Sequence, residues 1–388
     1  MLRTFKVEIN PTDTQKIKIH KTIGVCRFIY NLYIAENKRM HEKDKSFLSA
    51  FDFSKWLNND FIPNHQEYLW IKEVSSKSVK KSIGNAEAAF KKFFKNQTGF
   101  PRFKKKSKSN VQMYFVKNNK GDCLCERHRV KIPTLGWVRL KEKGYVPTSK
   151  NGYVVKSGTI SHRAGRYYLT CLVDVEEPKK EELCDFGLGI DLGLKNFAVV
   201  SNDEVYKNIN KTTKIKRLEK KLKREQRGLS RKLESFRKKY KQKGGATRKN
   251  IDKQTITVQK LYKRMDDSRT DYINKIVNKL VKTKPAYITI EDLNISGMMK
   301  NKHLSKAIAS QKFYEFRSKL KVKCEVKGIE LRIADRFYPS SKTCHKCGHI
   351  KKDLKLSDRT YICDCGYKQD RDFNASLNLR DTKSYVLA

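Results

Sequence analysis

The chain has 388 residues, of which 38% are hydrophobic and 33% are charged, with 87 Lys and Arg against 41 Asp and Glu. The formal net charge of +46 opposes compaction unless a polyanion neutralises it, so DNA or RNA is the favoured partner. The sequence contains no apolar run long enough to span a membrane and no hydrophobic leader, so we expect a cytoplasmic protein that acts at the nucleoid and has no membrane partner.

The first part of the chain predicts one β-strand followed by helices. Residues 2–9 alternate as a strand does, and Thr12 can cap the helix that follows. The apolar side of that helix is predicted to comprise Ile17, Ile23, Phe28, Ile29 and Leu32. A second helix is predicted over residues 75–95, with an apolar face of Val79, Ile83, Ala86, Phe90, Phe93 and Phe94. We interpret these phenylalanines as core residues and not as platforms for base stacking.

Beyond residue 100 the pattern changes to short strands. They are predicted over residues 112–116, 130–132 and 136–140, followed by a hairpin that joins residues 153–161 to 166–175 through Ala164-Gly165. We therefore predict a small antiparallel barrel or sheet over about residues 100–178, ending at a polar linker that begins at Pro178. Cys123 and Cys125 lie in a turn of this region without a second pair nearby, and we interpret them as ordinary thiols.

Residues 187–200 predict a strand, a tight turn at Gly193 and a second strand. Asp191 lies inside the first strand between apolar neighbours, where burial of a carboxylate is costly unless it has a partner. Asp191 either faces water or holds a metal ion against a phosphate. Partner carboxylates elsewhere in the chain decide between these alternatives.

Residues 211–250 carry 18 Lys or Arg against three acids and still keep a helical apolar stripe. A break at Gly244-Gly245 and a second stripe beyond it predict a long helical hairpin over residues 211–281. The charge excess is too one-sided for a salt-bridged surface, so we predict phosphate contacts. The candidate nucleic-acid-binding residues are Lys214, Lys216, Arg217, Lys220, Lys221, Lys223, Arg224 and Arg227.

Two further regions supply candidate partners for Asp191. Residues 285–291 predict a strand that ends in Glu291, at the position where open α/β sheets bind ligands. Asp370 and Asp372 lie near the start of a short C-terminal helix, where an acid often only caps the helix, and this alternative applies to Asp370 in particular. Three carboxylates from two strands and a helix start can hold two divalent ions and hydrolyse a phosphodiester.

Four of the ten cysteines form two close pairs near the C-terminus, Cys344/Cys347 and Cys363/Cys365, and each pair is followed by Gly. This pattern is typical of two knuckles that supply four thiolates to one tetrahedral zinc ion. The second pair has one intervening residue where two are commonest, and His345 and His349 are fallback ligands. A site with four protein ligands has no open position, so this zinc would be structural.

With these features the chain resembles the TnpB family, the RNA-guided nucleases of bacterial insertion sequences that are related to type V CRISPR effectors and often called transposases. The resemblance covers nearly the whole chain and includes an N-terminal pattern over residues 9–31. It is carried by Gly189-Ile-Asp-Leu-Gly193, by Ile288-Thr-Ile-Glu-Asp-Leu293, and by the four cysteines that run directly into Asp370-Arg-Asp-Phe-Asn-Ala375.

The resemblance implies a multidomain protein of α+β and α/β class. An RNase H-like (RuvC) nuclease domain would span residues 185–340 and 367–388, with the basic helical hairpin as an insertion and a zinc ribbon at 341–366. A helical recognition lobe would span 11–95, and a β-barrel wedge domain 1–10 and 96–180. The catalytic triad would be Asp191, Glu291 and Asp372, binding two Mg²⁺ ions.

The resemblance also implies the partners. A guide RNA made from the end of the element would be bound, and duplex DNA would be cleaved next to a short flanking motif. A non-cleaving DNA-binding accessory factor or regulator of transposition is the main alternative, and a guide-independent RuvC-like resolvase is another. The three retained acids argue against the first alternative, and the 180 residues before the nuclease domain argue against the second.

Overall fold

The computed structural model describes residues 1–106, 109–119, 121–177, 181–241, 248–355 and 357–388, with only the backbone of 238–241. The chain divides into two units, Met1–Glu177 and Pro178–Ala388, which we call the N-terminal and C-terminal units. The predicted glycine break at 244–245 and the start of the predicted linker at 178 lie outside the described residues. None of the described helices has the length and apolar character needed to cross a membrane.

The N-terminal unit inserts a group of helices after its first strand. Its elements are β1 (Leu2–Asn10), α1 (Asp13–Asp44), α2 (Ala50–Trp56), a π-helical turn (Leu57–Phe61), α3 (Ile62–Asn64), a 3-10 helix (Gln66–Glu73), α4 (Ser76–Phe94), β2 (Met113–Val116), β3 (Arg129–Ile132), β4 (Gly136–Leu140), a 3-10 turn (Ser149–Asn151), β5 (Val154–Arg163) and β6 (Arg166–Asp174). The strand and helix predictions for this part of the chain are confirmed within a few residues.

The six strands form one antiparallel half-barrel in the order β2-β5-β6-β1-β4-β3. Strand β1 lies inside the sheet because it pairs with β6 along its whole length and with β4 at its end. The predicted hairpin turn is present, with positive φ at both Ala164 and Gly165, as a tight two-residue turn requires. Cys123 and Cys125 are buried in the core of this sheet, and burial raises the pKa of each thiol to about 11.

Helix α1 begins with a capping box between Thr12 and Gln15, as the sequence predicted for its start. The prediction of its apolar side is wrong at Ile17, which is exposed, whereas Ile29 is buried and Ile23, Phe28 and Leu32 are half-buried against the cores. The fully buried apolar stripe of α1 comprises Ile19, Val25, Cys26, Ile29, Tyr30, Tyr33 and Ile34. This stripe packs mainly against α4, which contributes Val79, Ile83, Ala86 and Phe90 to the same core.

The C-terminal unit has a mixed sheet flanked by helices. Its elements are β7 (Cys184–Leu192), β8 (Asn196–Val200), β9 (Val205–Lys207), a 3-10 turn (Ile209–Lys211), α5 (Thr213–Lys241), α6 (Lys249–Lys282), β10 (Pro285–Glu291), α7 (Ile295–Met298), α8 (Ser305–Gln311), α9 (Phe313–Lys327), β11 (Glu330–Ala334), β12 (Thr360–Ile362), β13 (Lys368–Asp370), α10 (Arg371–Asp381) and β14 (Tyr385–Leu387).

The large sheet has the order β14-β11-β10-β7-β8-β9. Strands β7, β8 and β9 form an antiparallel meander, whereas β7, β10 and β11 are parallel to one another. A meander extended by parallel strands on the side of its first strand is the arrangement of an RNase H-like fold. The parallel strands are strongly apolar because both of their faces are covered, as in other α/β sheets.

Helices α5 and α6 form the predicted hairpin. Their apolar stripes meet in a cluster that contains Ile215, Leu218, Leu222, Val258, Leu261 and Met265. Gln254 of α6 donates a hydrogen bond to the Glu225 carboxylate of α5 at 2.7 Å, which fixes the register of the two helices. The lysines and arginines at positions 214–227 of α5 are exposed, away from this cluster.

Candidate active site and metal-binding ribbon

Asp191 and Glu291 lie at the same edge of the large sheet. Strands β7 and β10 are parallel, and Ile190 is directly opposite Ile290. The next residue of each strand is a carboxylic acid, so the two acids are neighbours at the carboxyl ends of adjacent strands. Their carboxyl groups share a hydrogen bond.

Helix α10 brings Asp372 to the same place. The helix packs on β7 at Gly189, where an added Cβ would lie 1.9 Å from the Ser376 carbonyl oxygen and 2.3 Å from the Arg380 nitrogen. Asp191 follows Gly189 by two residues and therefore points to the same face of the sheet. Asp372 lies one helical turn before Ser376, and its charge acts on Asp191.

The electrostatic environment of Asp191 opposes its ionisation. Burial raises the pKa of Asp191 well above its usual range, and the charges of Glu291 and Asp372 raise it further, whereas Arg371 opposes this shift. Burial also raises the pKa of Glu291, although hydrogen bonds from Ser340 and Asp191 partly offset the effect. A divalent cation fits here, because it would compensate charges that otherwise require a proton.

The neighbouring acids have other partners. Asp370 is the N-cap of α10, and its carboxylate accepts hydrogen bonds from the backbone N–H groups of Asp372 and Phe373 at 3.0 and 3.1 Å. The capping alternative for Asp370 therefore describes its role in the fold. Asp292, next to Glu291, forms ion pairs with Arg317 and Arg336.

Two further side chains orient the acids. The Ser340 hydroxyl donates to Glu291 Oε1 at 3.0 Å, and the Arg371 guanidinium contacts Asp372 Oδ1 at 3.1 Å. Neither role was predicted. The sequence signal for Ser340 is weak, since it is one of two serines before the first cysteine and its contact depends on the fold.

The four cysteines of the predicted ribbon converge. Their Sγ atoms all lie within 4.8 Å of one another, and two of the separations are 3.7 Å (Cys344 to Cys365) and 3.6 Å (Cys347 to Cys363). A tetrahedral zinc ion with Zn–S bonds of about 2.3 Å needs sulfur separations of about 3.8 Å, so the thiols fit this ion. Among the described residues no other group of three or more acids, cysteines or histidines converges as closely.

The backbone of the ribbon is folded for thiolate binding. Each cysteine pair ends in a glycine with positive φ, Gly348 at 74° and Gly366 at 81°. A hydrogen bond from the backbone of Tyr367 is the main cause that lowers the pKa of the Cys365 thiol to about 7. A thiolate at this position is the form that binds a metal. The histidines proposed as fallback ligands are not part of the cluster.

Two asparagines of α10 tie the ribbon to the helix that carries Asp372. Asn374 Nδ2 donates to the Thr343 carbonyl at 2.8 Å, and Asn378 Nδ2 donates to the carbonyls of Ser340 and Thr343 at 2.7 Å each. Both asparagines are buried, and the bond from Asn378 to Ser340 is itself buried, which strengthens it. The segment between Ser340 and the first cysteine is thereby fixed against α10.

The basic residues predicted to contact nucleic acid are all exposed on α5. Among them, Arg224 forms an ion pair with Glu225 at 3.7 Å. The apolar positions between them, Ile215, Leu218 and Leu222, are buried against α6. The cationic side chains are consequently available to a polyanion while the opposite side of the helix is packed.

Three family models match this chain. A helix-turn-helix domain matches residues 1–46, a "Probable transposase" model matches 170–302, and a "Cas12f1-like, TNB domain" model matches 313–379. The matched N-terminal residues form a strand and one helix, α1, in this structure. The second model covers Asp191 and Glu291, and the third covers the four cysteines and Asp372. These three matches agree with the resemblance to the TnpB family.

Individual relatives match over almost the whole chain. A protein of Escherichia coli (strain K12) named "Putative RNA-guided DNA endonuclease InsQ" is 29% identical over 100% of this chain and 94% of its own length. A "Putative RNA-guided DNA endonuclease" of Streptomyces pristinaespiralis is also 29% identical, over 97% of this chain and 88% of its own. The protein in a solved Cas12f1-sgRNA-target DNA complex has the same fold, with a TM-score of 0.61 at 16% identity over 100% and 99% of the two chains.

The resemblance to the TnpB family stated from sequence is thus confirmed, as is the mixed fold with an RNase H-like sheet. The sequence motifs of the family include the three acids and four cysteines, but they do not indicate the hydrogen bonds between them. Asn374 belongs to the Asp-Arg-Asp-Phe-Asn-Ala motif, and its hydrogen bond to the Thr343 carbonyl gives one physical reason for an amide at that position.

Proposed function

We propose that this TnpB-family protein is an RNA-guided, metal-dependent DNA endonuclease associated with a transposable element. The observation that carries the proposal is the meeting of three acids from two parallel strands and a helix start, where burial and the charges of Glu291 and Asp372 raise the pKa of Asp191. Such a surplus of buried negative charge is useful where a cation will be bound. The names of the relatives, which match nearly full length, supply the RNA-guided part of the proposal.

In the proposed mechanism each acid has a separate support. Asp191 and Glu291 would bind two Mg²⁺ ions from the sheet edge, and Asp372 would bind them from the helix. Ser340 would hold the Glu291 carboxylate in one orientation, and Arg371 would do the same for Asp372. Divalent ions at such a site activate water and stabilise the leaving oxygen of a phosphodiester. The RuvC-like, two-metal character of the reaction is part of the proposal.

We further propose one structural zinc ion on Cys344, Cys347, Cys363 and Cys365. Four thiolates leave no position for water or substrate, so this ion would support the fold and not the reaction. Its contribution would be to order the ribbon that Asn374 and Asn378 attach to α10.

The partners follow from charge and from the relatives. The eight exposed basic residues of α5 would contact phosphates. Residues 11–95 would act as the recognition lobe, and residues 1–10 and 96–180 as the wedge, around a guide RNA from the element end. Duplex target DNA would be cleaved beside a short flanking motif, and the location would be cytoplasmic. The net charge of +46 is the physical reason to expect two polyanionic partners.

The test combines RNA content with cleavage. Purified protein is expected to carry RNA and to cut DNA that matches this RNA when Mg²⁺ is present, and Asp191→Ala is expected to keep the RNA and lose cleavage. Cleavage by Asp191→Ala at the wild-type rate would contradict the assignment of the acids. RNA-free wild-type protein that cuts branched DNA would favour a resolvase, and absence of metal-dependent cutting with any guide would favour a regulator of transposition.

A further inference from the structure

The N-terminal unit contains a large aromatic cleft outside the candidate active site. It is a cavity of about 1180 Å³ between the end of α1, the end of α4 and the loop after α4. Four of its phenylalanines are exposed, with 57% for Phe94, 51% for Phe103, 47% for Phe100 and 40% for Phe47. The sequence-based interpretation of Phe94 as a core residue is therefore wrong. Phe94 lies one helical turn beyond Phe90, the last buried residue of the apolar stripe of α4.

The rings support one another in fixed positions. Phe47 packs edge-on against Phe94 with ring centroids 5.4 Å apart, and Phe93 packs edge-on against Phe100 at the same distance. Phe90, which is buried, contacts both Phe47 and Phe100. Because the exposed rings rest on a buried one, the surface is held in place before any ligand arrives.

The loop wall of the cleft is also fixed. The side chain of Asn31 donates to the Lys104 carbonyl at 3.0 Å and accepts from the Lys104 N–H at 2.7 Å. Lys105 and Ser109 are joined by hydrogen bonds of 2.9 and 3.0 Å. These bonds lie next to Phe103, which lines the same cleft as Phe90, Phe93 and Phe94 of α4.

The rim of the cleft is strongly cationic. The basic residues that line it are Lys38, His41, Lys45, Arg102, Lys104 and Lys105. The acid among the lining residues is Glu42, which already pairs with Lys38 at 3.7 Å. A second copy of this chain would bring the same positive rim against this one, so charge disfavours self-association and favours a polyanion.

We propose that this aromatic cleft binds unpaired nucleotides of the guide RNA, an inference that rests on the proposed function. Exposed rings next to lysines are the combination by which proteins hold unpaired nucleic acid, because bases stack on the rings and the cations contact the backbone. Bases in a duplex are already stacked and cannot enter. RNA loops and bulges keep their bases unpaired throughout, and proteins recognise RNA mainly at such places.

The test measures which RNA bases are covered. RNA that co-purifies with the full-length protein is treated with a base-modifying reagent, before any DNA is added, in wild type, in Phe94→Ala/Phe103→Ala and in Phe51→Ala. Phe51 is 78% exposed, is not a lining residue of the cleft and therefore serves as the matched control. One run of unpaired bases is expected to be protected in wild type and in the control and to react in the double variant.

A second measurement uses an oligouridylate of about 12 nucleotides and fluorescence anisotropy. Stacking of one base on an aromatic side chain is worth about fivefold to 150-fold in affinity, so the double variant should bind at least about tenfold more weakly while Phe51→Ala binds as wild type does. Both substituted rings are exposed, so loss of folding is not expected, and a melting curve checks this.

Several results would overturn the proposal. One is an identical RNA modification pattern in all three proteins. Another is an unchanged RNA pattern with new permanganate reactivity in a displaced DNA strand, which would make DNA the occupant. A wild-type dimer that the double variant converts to monomer would make the cleft a self-association surface. If the wild-type protein carries no RNA, the proposed function fails. The proposal for the cleft is then tested separately, and equal affinity of the wild type and the double variant for the oligouridylate would overturn it.

Discussion

Ser340 connects the candidate active site to the ribbon through two different atoms. Its hydroxyl donates to Glu291 at 3.0 Å, and its carbonyl accepts from Asn378 on the helix that carries Asp372. It touches an acid and not the reacting atoms, so its role would be to position Glu291. Residues that orient metal ligands in this way typically contribute 10- to 100-fold to metal affinity or activity.

We therefore predict that Ser340→Ala lowers both Mn²⁺ affinity, measured by electron paramagnetic resonance, and the cleavage rate by about tenfold or more. Ser340→Thr keeps the hydroxyl and should restore most of both. A Ser340→Ala protein that melts at a lower temperature but binds Mn²⁺ as wild type does would show a purely structural role.

Gly189 is the residue that allows α10 to reach the sheet. An added methyl group would overlap the backbone of Ser376 and Arg380, which cannot move as the end of a side chain can. We predict that Gly189→Ala destabilises the protein by about 3 kcal/mol or more in denaturant unfolding, because the helix must shift.

The matched control for this prediction is Gly84→Ala. Gly84 lies inside α4, and an added Cβ would meet nothing within 4 Å. This substitution should stabilise the protein by about 0.5–1 kcal/mol, since alanine favours a helix over glycine. Equal effects of the two substitutions would contradict the close approach of α10 to β7.

At the scale of elements, the side-chain amides of Asn374 and Asn378 on α10 donate hydrogen bonds to the segment that leads into the ribbon. We predict about one equivalent of zinc per chain and a loss of this zinc in Cys344→Ser, measured by metal analysis after dialysis. The same variant should cleave DNA at least about tenfold more slowly, because the segment that holds Glu291 and α10 loses its anchor.

Cys184→Ser is the control for the ribbon. Cys184 is exposed at the start of β7 and is not a member of the metal-binding cluster, so its substitution should leave zinc content and cleavage unchanged. A Cys344→Ser protein that folds and cleaves normally without zinc would overturn the structural role of the ion.

The elements themselves were largely predictable from sequence. The alternation in residues 2–9, the Ala164-Gly165 turn and the apolar run before Glu291 each depend on local sequence, and each gives the expected strand or turn. The apolar side of α1 was not predictable in the same way. Several overlapping stripes are possible in a 32-residue helix, and packing against α4 decides which of them is buried.

The residue types of the candidate site could be predicted from sequence, but the hydrogen bonds between its residues could not. Carboxylates at strand ends and paired cysteines are local signals, so the sequence alone indicates Asp191, Glu291 and the cysteines as candidates, and the structure brings the four cysteines together. Ser340 and Asn378 act through hydrogen bonds between residues 38 to 49 positions apart. The aromatic cleft was missed because a helical stripe does not show where the core ends and Phe94 becomes exposed.

At the scale of the whole molecule, the excess of positive charge predicts the salt dependence of nucleic-acid binding. Replacement of Lys220, Lys221 and Lys223 on α5 by Ala should lower the slope of log affinity against log salt by about two to three, because each phosphate contact contributes about 0.7–0.9. The affinity for duplex and guide RNA is measured at several salt concentrations.

The control variant keeps the positive charge at the three lysine positions of α5. The triple replacement of the same lysines by Arg should leave the slope unchanged, because arginine neutralises a phosphate equally well. If the alanine variant has the wild-type slope, α5 does not contact phosphates and its charge is a solvated surface.

The assignment of three acids to one metal-dependent nuclease site is tested most directly by two neighbouring substitutions. Asp372→Asn removes a proposed metal ligand, whereas Asp370→Asn replaces one good helix cap by another. Cleavage of guide-matched DNA with Mg²⁺ is measured in single-turnover experiments for both variants. We predict that Asp372→Asn abolishes cleavage and keeps its RNA, while Asp370→Asn cuts within about twofold of wild type. Wild-type cleavage by Asp372→Asn, or metal-independent cleavage by the wild type, would contradict the account.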